Sequence, residues 1–84
     1  MPELFYIYVL ESLSFNKRYV GMTMDINRRL KEHNSGKSKF TKAFKPWKII
    51  YSETTSNRKS ARDREKYLKS AAGRKFIKKI SLND

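Results

Sequence analysis

The chain has 84 residues, carries 20 Lys and Arg against 8 Asp and Glu, and so has a formal charge of +12. At this length a chain buries only roughly 60–65% of the surface its unfolded form exposes, which leaves room for one core, and residues 1–84 are read as a single domain. One Trp, five Tyr and five Phe within a hydrophobic content of 38% exclude an unfolded basic tail, and the absence of cysteine excludes a disulfide framework, thiolate nucleophiles, Cys-ligated zinc and iron–sulfur clusters.

Leu4-Phe5-Tyr6-Ile7-Tyr8-Val9-Leu10 joins β-branched and aromatic residues with no helical period, which predicts a strand over 4–10 buried on both faces. The run is too short for a membrane span, lacks a basic leader and is closed by Glu11. The expectation is a soluble, cytoplasmic protein with no membrane partner, and its charge makes nucleic acid the default ligand. Ser12, Ser14 and Asn16 are turn formers ahead of Lys17-Arg18-Tyr19-Val20-Gly21, so a hairpin with a second strand at 18–21 follows. Phe15 inside that turn is either a packing plug or an exposed aromatic.

Asp25 is a good N-cap, Ile26, Leu30 and His33 form one stripe, and Gly36 suits a left-handed terminal position, which predicts a helix over 25–35. From Lys37 to Lys48, Lys37, Lys39, Lys42, Lys45 and Lys48 alternate with Phe40, Phe44 and Trp47, and Pro46 stops any helix. An ordered loop with room for one helical turn is expected there. Trp47 to Glu53 returns to strand chemistry, giving a third strand at 47–53, and Thr54-Thr55-Ser56-Asn57 is a cluster of turn and cap residues.

A helix over about 58–70 then carries Ala61, Leu68 and Ala72 at helical spacing. Glu65 stands on the same stripe, where a bare carboxylate is costly, so a cation, a metal or water in a cleft must meet it. Gly73 is expected to interrupt, Phe76, Ile77 and Ile80 to form a short closing helix, and the last three residues to fray. The sum is an α/β (α+β) fold, a small central three-stranded and mainly antiparallel sheet flanked by helices.

Tyr8, Tyr19, Arg29 and Glu65 are unremarkable singly: a strand tyrosine is usually core, an arginine usually surface, a Glu four before Lys69 usually half of an ion pair. Two features lift the set above that reading. Arg29 and His33 stand one helical turn apart at the edge of the buried stripe, so both can face a groove. A cleft carboxylate beside a basic surface also suits a divalent cation facing phosphate, because Mg²⁺ takes only one or two protein carboxylates.

These residues carry a resemblance. Tyr6-Ile7-Tyr8, Tyr19-Val20-Gly21, Arg29 eight residues after that glycine, His33 four later, and the segment from Ala61 through Glu65 to Lys69 resemble the GIY-YIG nuclease superfamily over nearly the whole chain. The likeness looks closest to small stand-alone bacterial members related to the N-terminal nuclease module of the excision-repair protein UvrC. It implies that Tyr8 ends one motif and Tyr19 begins the next, both aimed at one groove, with Tyr19 favoured as the base that deprotonates the attacking water. It further implies that Arg29 holds the scissile phosphate and that Glu65 binds a single Mg²⁺ or Mn²⁺. His33 would orient groups or carry a proton; the alternative is a histidine capping its own helix. Tyr6 stands where the family name has Gly, and the asparagine that completes the site in some members has no counterpart, Asn83 being left unassigned.

By the same resemblance Lys37, Lys39, Lys42 and Lys45 would contact DNA phosphates, and Phe40 or Phe44 would stack on an unpaired base. The competing reading has Phe40, Phe44 and Trp47 simply covering the sheet. Lys17, Arg18, Arg58, Arg62, Arg64 and Lys66 would widen the positive surface. The expected function is a divalent-metal-dependent DNA endonuclease in repair or recombination. It would leave 5′-phosphate and 3′-hydroxyl ends and be directed by DNA structure or damage, or by a protein partner. The alternative is a non-catalytic basic module that binds DNA or RNA, a small ribosomal-type protein included.

Overall fold

The computed structural model describes residues 4–82; of the tail expected to fray, Asn83 and Asp84 lie outside the described residues. In chain order the elements are β1 (Phe5–Ser12), β2 (Arg18–Thr23), α1 (Ile26–Ser35), α2 (Lys39–Lys42), β3 (Trp47–Thr55), α3 (Arg58–Lys69) and α4 (Ala71–Leu82). The three strands form one sheet in the order β2-β1-β3, antiparallel at both joins. Its centre is β1, which explains why that segment is apolar without alternation. Phe5, Ile7 and Val9 pack with Ala61 and Leu68 of α3 and Ile77 of α4, while Tyr8 and Leu10 pack on the opposite face with Trp47, Ile26 and Leu30. Among the described residues no helix is long and apolar enough to cross a membrane.

Every strand runs further than its apolar segment, because ladder pairing needs backbone rather than hydrophobic side chains: Phe5 pairs with Thr55, Tyr6 with Thr23 and Ser12 with Trp47. Between Val9 and Leu10 the β1–β3 register slips, so that Val9 faces Tyr51, Leu10 faces Ile49 and Ile50 is the extra residue of a bulge. The slip sends the neighbours Ile50 and Tyr51 to the same face, against α3 and α4, and leaves Ile49 on the other.

Local chemistry sets the helix ends. The Asp25 carboxylate accepts from the Arg28 N–H at 3.1 Å, and Gly36 closes α1 in the left-handed region at φ +87°, a conformation costly for any residue with a Cβ. Asn57 caps α3 by accepting from the Ser60 N–H at 3.0 Å. The chain breaks at Ser70, not at Gly73 as the glycine suggested. Ser70 is extended, its hydroxyl accepts from the Gly73 N–H at 3.3 Å, and α4 starts at once and runs through the glycine. Gly73 is needed for clearance, since a Cβ there would collide with the Tyr67 carbonyl and the Leu68 backbone. Ala72 is accordingly an exposed residue of α4 and no part of the α3 stripe.

Arg64 also departs from expectation. Its Nε donates to Glu53 Oε1 at 2.6 Å and its guanidinium lies over the Tyr67 and Phe76 rings, while the Tyr51 hydroxyl donates to Glu53 Oε2 at 2.6 Å. The arginine therefore ties α3 to β3 instead of offering a free charge to a phosphate. The β1–β2 turn is anchored in a similar way, with the Ser12 hydroxyl donating to the Phe44 carbonyl at 2.7 Å and accepting from the Ser14 and Phe15 amides. Phe15 itself is 51% exposed and meets Phe44 edge-on, so it is a surface aromatic and not a core plug.

Candidate active site

Antiparallel pairing brings the two motif tyrosines together. Tyr8 is paired with Gly21 and Leu10 with Tyr19, so the two phenols are diagonal neighbours on one face, with ring centroids 6.2 Å apart. Gly21 makes room for this. A Cβ there would stand 2.5 Å from the Tyr8 hydroxyl oxygen, 2.6 Å from its Cζ and 2.9 Å from Tyr19 Cε1. Because the Tyr8 ring is buried and held at its hydroxyl, it has no free direction in which to yield. Gly21→Ala should cost about 1–3 kcal/mol, read from urea unfolding; a wild-type midpoint would show that the ring is free to move aside.

From α1, one turn apart, come Arg29 and His33. His33 is fully buried, its Nε2 3.0 Å from the Tyr8 hydroxyl, its Nδ1 2.9 Å from Thr41 Oγ1 and its ring 4.8 Å from that of Tyr19. It therefore reaches into the sheet and does not cap its own helix. Thr41, also buried, is fixed by α2, and its carbonyl accepts from Trp47 Nε1 at 2.8 Å. Asn34 completes the frame, accepting from the Trp47 N–H at 2.6 Å and donating to the Trp47 carbonyl at 3.1 Å. Neither Thr41 nor Asn34 stands out in the sequence. Their partners are eight and thirteen residues away, and neither spacing belongs to a helix or hairpin.

Burial pushes the Tyr8 phenol up to about 12, reinforced by the neighbouring Tyr19, while Arg29 pulls the other way through hydrogen bonding and charge. Burial also pushes His33 down to about 4, aided by the positive Arg29. At neutral pH both groups are thus uncharged. The buried Tyr8 hydroxyl has His33 Nε2 as its hydrogen-bond partner; with the phenol donating there, the imidazole proton sits on Nδ1 and is donated to Thr41 Oγ1. Arg29 has its firmest partner in Glu32, at 2.9 Å, and this leaves it partly exposed beside both tyrosines.

Glu65 approaches from α3. Its charge is felt at the Tyr8 phenol, its side chain is 25% exposed, and its ion pair is with the more exposed Lys69 at 3.4 Å. Of the three environments the sequence allowed for this carboxylate, the structure offers a loose cation partner and water. Among the described residues no group of three or more His, Asp or Glu side chains gathers around a cation position. A cation such as Mg²⁺ or Mn²⁺, which takes one or two protein carboxylates, would find one of them in Glu65.

Lys37, Lys39, Lys42 and Lys45 are all exposed around α2. The three aromatics of this segment part company. Trp47 is buried against Tyr8 and Leu10, Phe44 is half-buried on the same cluster, and Phe40 is 55% exposed with its ring 6.1 Å from that of Tyr19. Covering the sheet accounts for Trp47 and Phe44 but not for Phe40.

The model of the GIY-YIG catalytic domain matches residues 4–79. The UPF0213 protein of Syntrophus aciditrophicus (strain SB) is 35% identical over 80 residues, which span 93% of this chain and 91% of that protein. UPF0213 protein YazA of Bacillus subtilis (strain 168) is 38% identical over 61 residues, 71% of this chain and 62% of the relative. Among solved structures, the solution NMR structure of the UPF0213 protein BH0048 from Bacillus halodurans matches with a TM-score of 0.56 at 31% identity, covering 94% of this chain and 84% of that one.

Proposed function

We propose that this chain, which belongs to the GIY-YIG family, is a DNA endonuclease that hydrolyses a phosphodiester with the help of a divalent cation. The observation that carries the reading is the side-chain cluster itself: the Tyr8 hydroxyl meets His33 at 3.0 Å, the Tyr19 ring lies 6.2 Å from that of Tyr8, Arg29 stands one turn before His33 on α1, and α3 adds the partly exposed carboxylate of Glu65. A protein that only binds polyanions gains nothing from a carboxylate there.

The two phenols differ in the way a division of labour needs. Tyr8 keeps its proton at neutral pH because burial holds its pKa high, and it serves to position His33 and Arg29. Tyr19 is the more exposed phenol and lies beside Arg29; once it has released its own proton to solvent, the phenolate takes the proton from the attacking water. As the water oxygen bonds to phosphorus, Arg29 donates to the phosphate oxygens and offsets their growing charge. The bond to the 3′ oxygen breaks and that oxygen takes up a proton from solvent water, leaving 5′-phosphate and 3′-hydroxyl ends. Mg²⁺ or Mn²⁺ held by Glu65 supplies, when bound, a positive charge beside the departing oxygen. The exposed lysines around α2 give salt-sensitive affinity without reading bases, so target choice rests on DNA shape or a protein partner, as suits repair or recombination.

The test is cutting of supercoiled, linear, branched and single-stranded DNA with Mg²⁺, Mn²⁺ or EDTA. Glu65→Gln, which keeps the side-chain shape, should slow metal-dependent cutting at least ~100-fold while binding in EDTA stays within about twofold of wild type. Equal cutting by both proteins would remove Glu65 from the chemistry. No cutting by either, with binding intact, would favour the non-catalytic module.

A further inference from the structure

Beside Tyr19 a cleft of about 720 Å³ opens between β2, α2 and the last two helices, within the size range of small-ligand sites. Tyr19, the base of the proposed hydrolysis, is part of its lining, and the other lining residues have no role in that reaction. Its apolar lining comes from Val20, Leu68 and Ile77 together with the rings of Tyr19 and Phe40. Its rim is cationic, from Arg18, Lys69, Arg74 and Lys78, and no acidic residue lines it. Arg18 and Lys69 share their charge with Glu11 and Glu65, but Arg74 and Lys78, one turn apart on α4, make no ion pair among the described residues.

Phe40 is the feature that asks for an occupant. It projects from a four-residue helix, is more than half exposed, and continues a row of rings from Tyr19 through Phe44 to Phe15, with neighbouring centroids 6.1, 5.8 and 5.5 Å apart. Lys17 lies over the Phe44 ring at 5.4 Å. An aromatic face next to an apolar floor and a rim of unshared positive charge complements a flat base joined to a phosphate. A base inside a duplex has both faces covered by its neighbours and cannot present one to Phe40.

We propose that this cleft receives an unpaired nucleotide next to the scissile phosphate, its base stacked on Phe40 and its phosphate met by Arg74 and Lys78, so that the protein engages DNA where duplex gives way to single strand. The inference rests on the nuclease reading only in placing the nucleotide beside the phosphate that is cut; the cleft binds whether or not turnover follows. Strand polarity follows from which neighbour of the cut occupies it.

Binding in EDTA tests the cleft apart from catalysis. The probe is a duplex with a short single-stranded extension carrying 2-aminopurine at the first unpaired position, compared with a blunt duplex of equal charge. Wild type should quench the 2-aminopurine and prefer the extended DNA. Phe40→Ala should lose the quenching and about tenfold of the preference, and Phe40→Trp should keep both. Arg74→Ala with Lys78→Ala should weaken binding of the extended DNA more than of the blunt duplex. Because Phe40 is exposed, the circular dichroism of Phe40→Ala should match wild type. Preference and quenching that survive Phe40→Ala would overturn the proposal, as would their absence from wild type. Cutting without any Phe40-dependent preference would leave the nuclease standing and sink the cleft, whereas preference without cutting would do the reverse.

Discussion

Tyr19→Phe should slow DNA cutting at least ~100-fold at neutral pH, the lower end of what a positioned base contributes, and leave the melting temperature unchanged; Tyr8→Phe should lose both activity and stability. The contrast comes from what each hydroxyl leaves behind. Tyr19 is half-exposed and touches its neighbours through its ring, with centroids 4.8 Å from His33 and 6.1 Å from Phe40, contacts that phenylalanine preserves. The Tyr8 hydroxyl instead meets a fully buried imidazole nitrogen at 3.0 Å, and its removal leaves that nitrogen unpartnered. Such an orphan costs about 1–3 kcal/mol, and in a domain of this size each kcal/mol lowers the melting temperature by about 4–8 °C. Single-turnover cleavage alongside thermal melts separates the two. If Tyr19→Phe cuts at the wild-type rate while Tyr8→Phe is dead, the base is Tyr8, with His33 as the acceptor of its proton.

What could be read from the residues alone follows from how far apart interacting groups lie. Capping and periodicity act over three or four positions, so Asp25, Gly36 and the stripe of α1 marked that helix, and the unbroken apolar run of β1 marked a central strand with two covered faces. The three-stranded antiparallel sheet with flanking helices follows from those elements and matches that of the solved relative in outline. Where the reading failed, the deciding partner lay in another element or in the turn before it. Gly73 resembled a helix breaker by propensity, yet its place is set by the Tyr67 carbonyl at the end of the previous helix, and the stop belongs to the Ser70 hydroxyl. Arg64 counted as free charge until β3 brought Glu53 within 2.6 Å of it. The same holds around the tyrosines, where nothing near His33 in sequence announces that Thr41 holds its far nitrogen, because the α1–α2 turn creates that contact.

The buried histidine ties folding to pH. In the unfolded chain His33 titrates near 6.5, and in the folded protein burial and Arg29 hold it down at about 4, with Glu32 opposing weakly. Above pH 6.5 the imidazole is neutral in both states and its contribution is fully present. Between 6.5 and 4 the unfolded chain takes up a proton that the folded one refuses, and stability falls by up to 1.36 kcal/mol per pH unit, about 3 kcal/mol across the window. Below 4 the folded protein also takes the proton, and no further loss comes from this group. Unfolding in urea at about pH 7 and about pH 4.5 should therefore show a larger drop for wild type than for His33→Gln, by about 2–3 kcal/mol. The amide keeps a donor and an acceptor for Thr41 and Tyr8 but does not titrate, and the carboxylates that also respond in this range are common to both proteins. Equal drops would mean that the imidazole gains its proton in the folded state as readily as in the unfolded one. The Tyr8 hydroxyl would then face an imidazolium across 3.0 Å at mildly acidic pH, and the assignment of its proton toward Nε2 would fail with it.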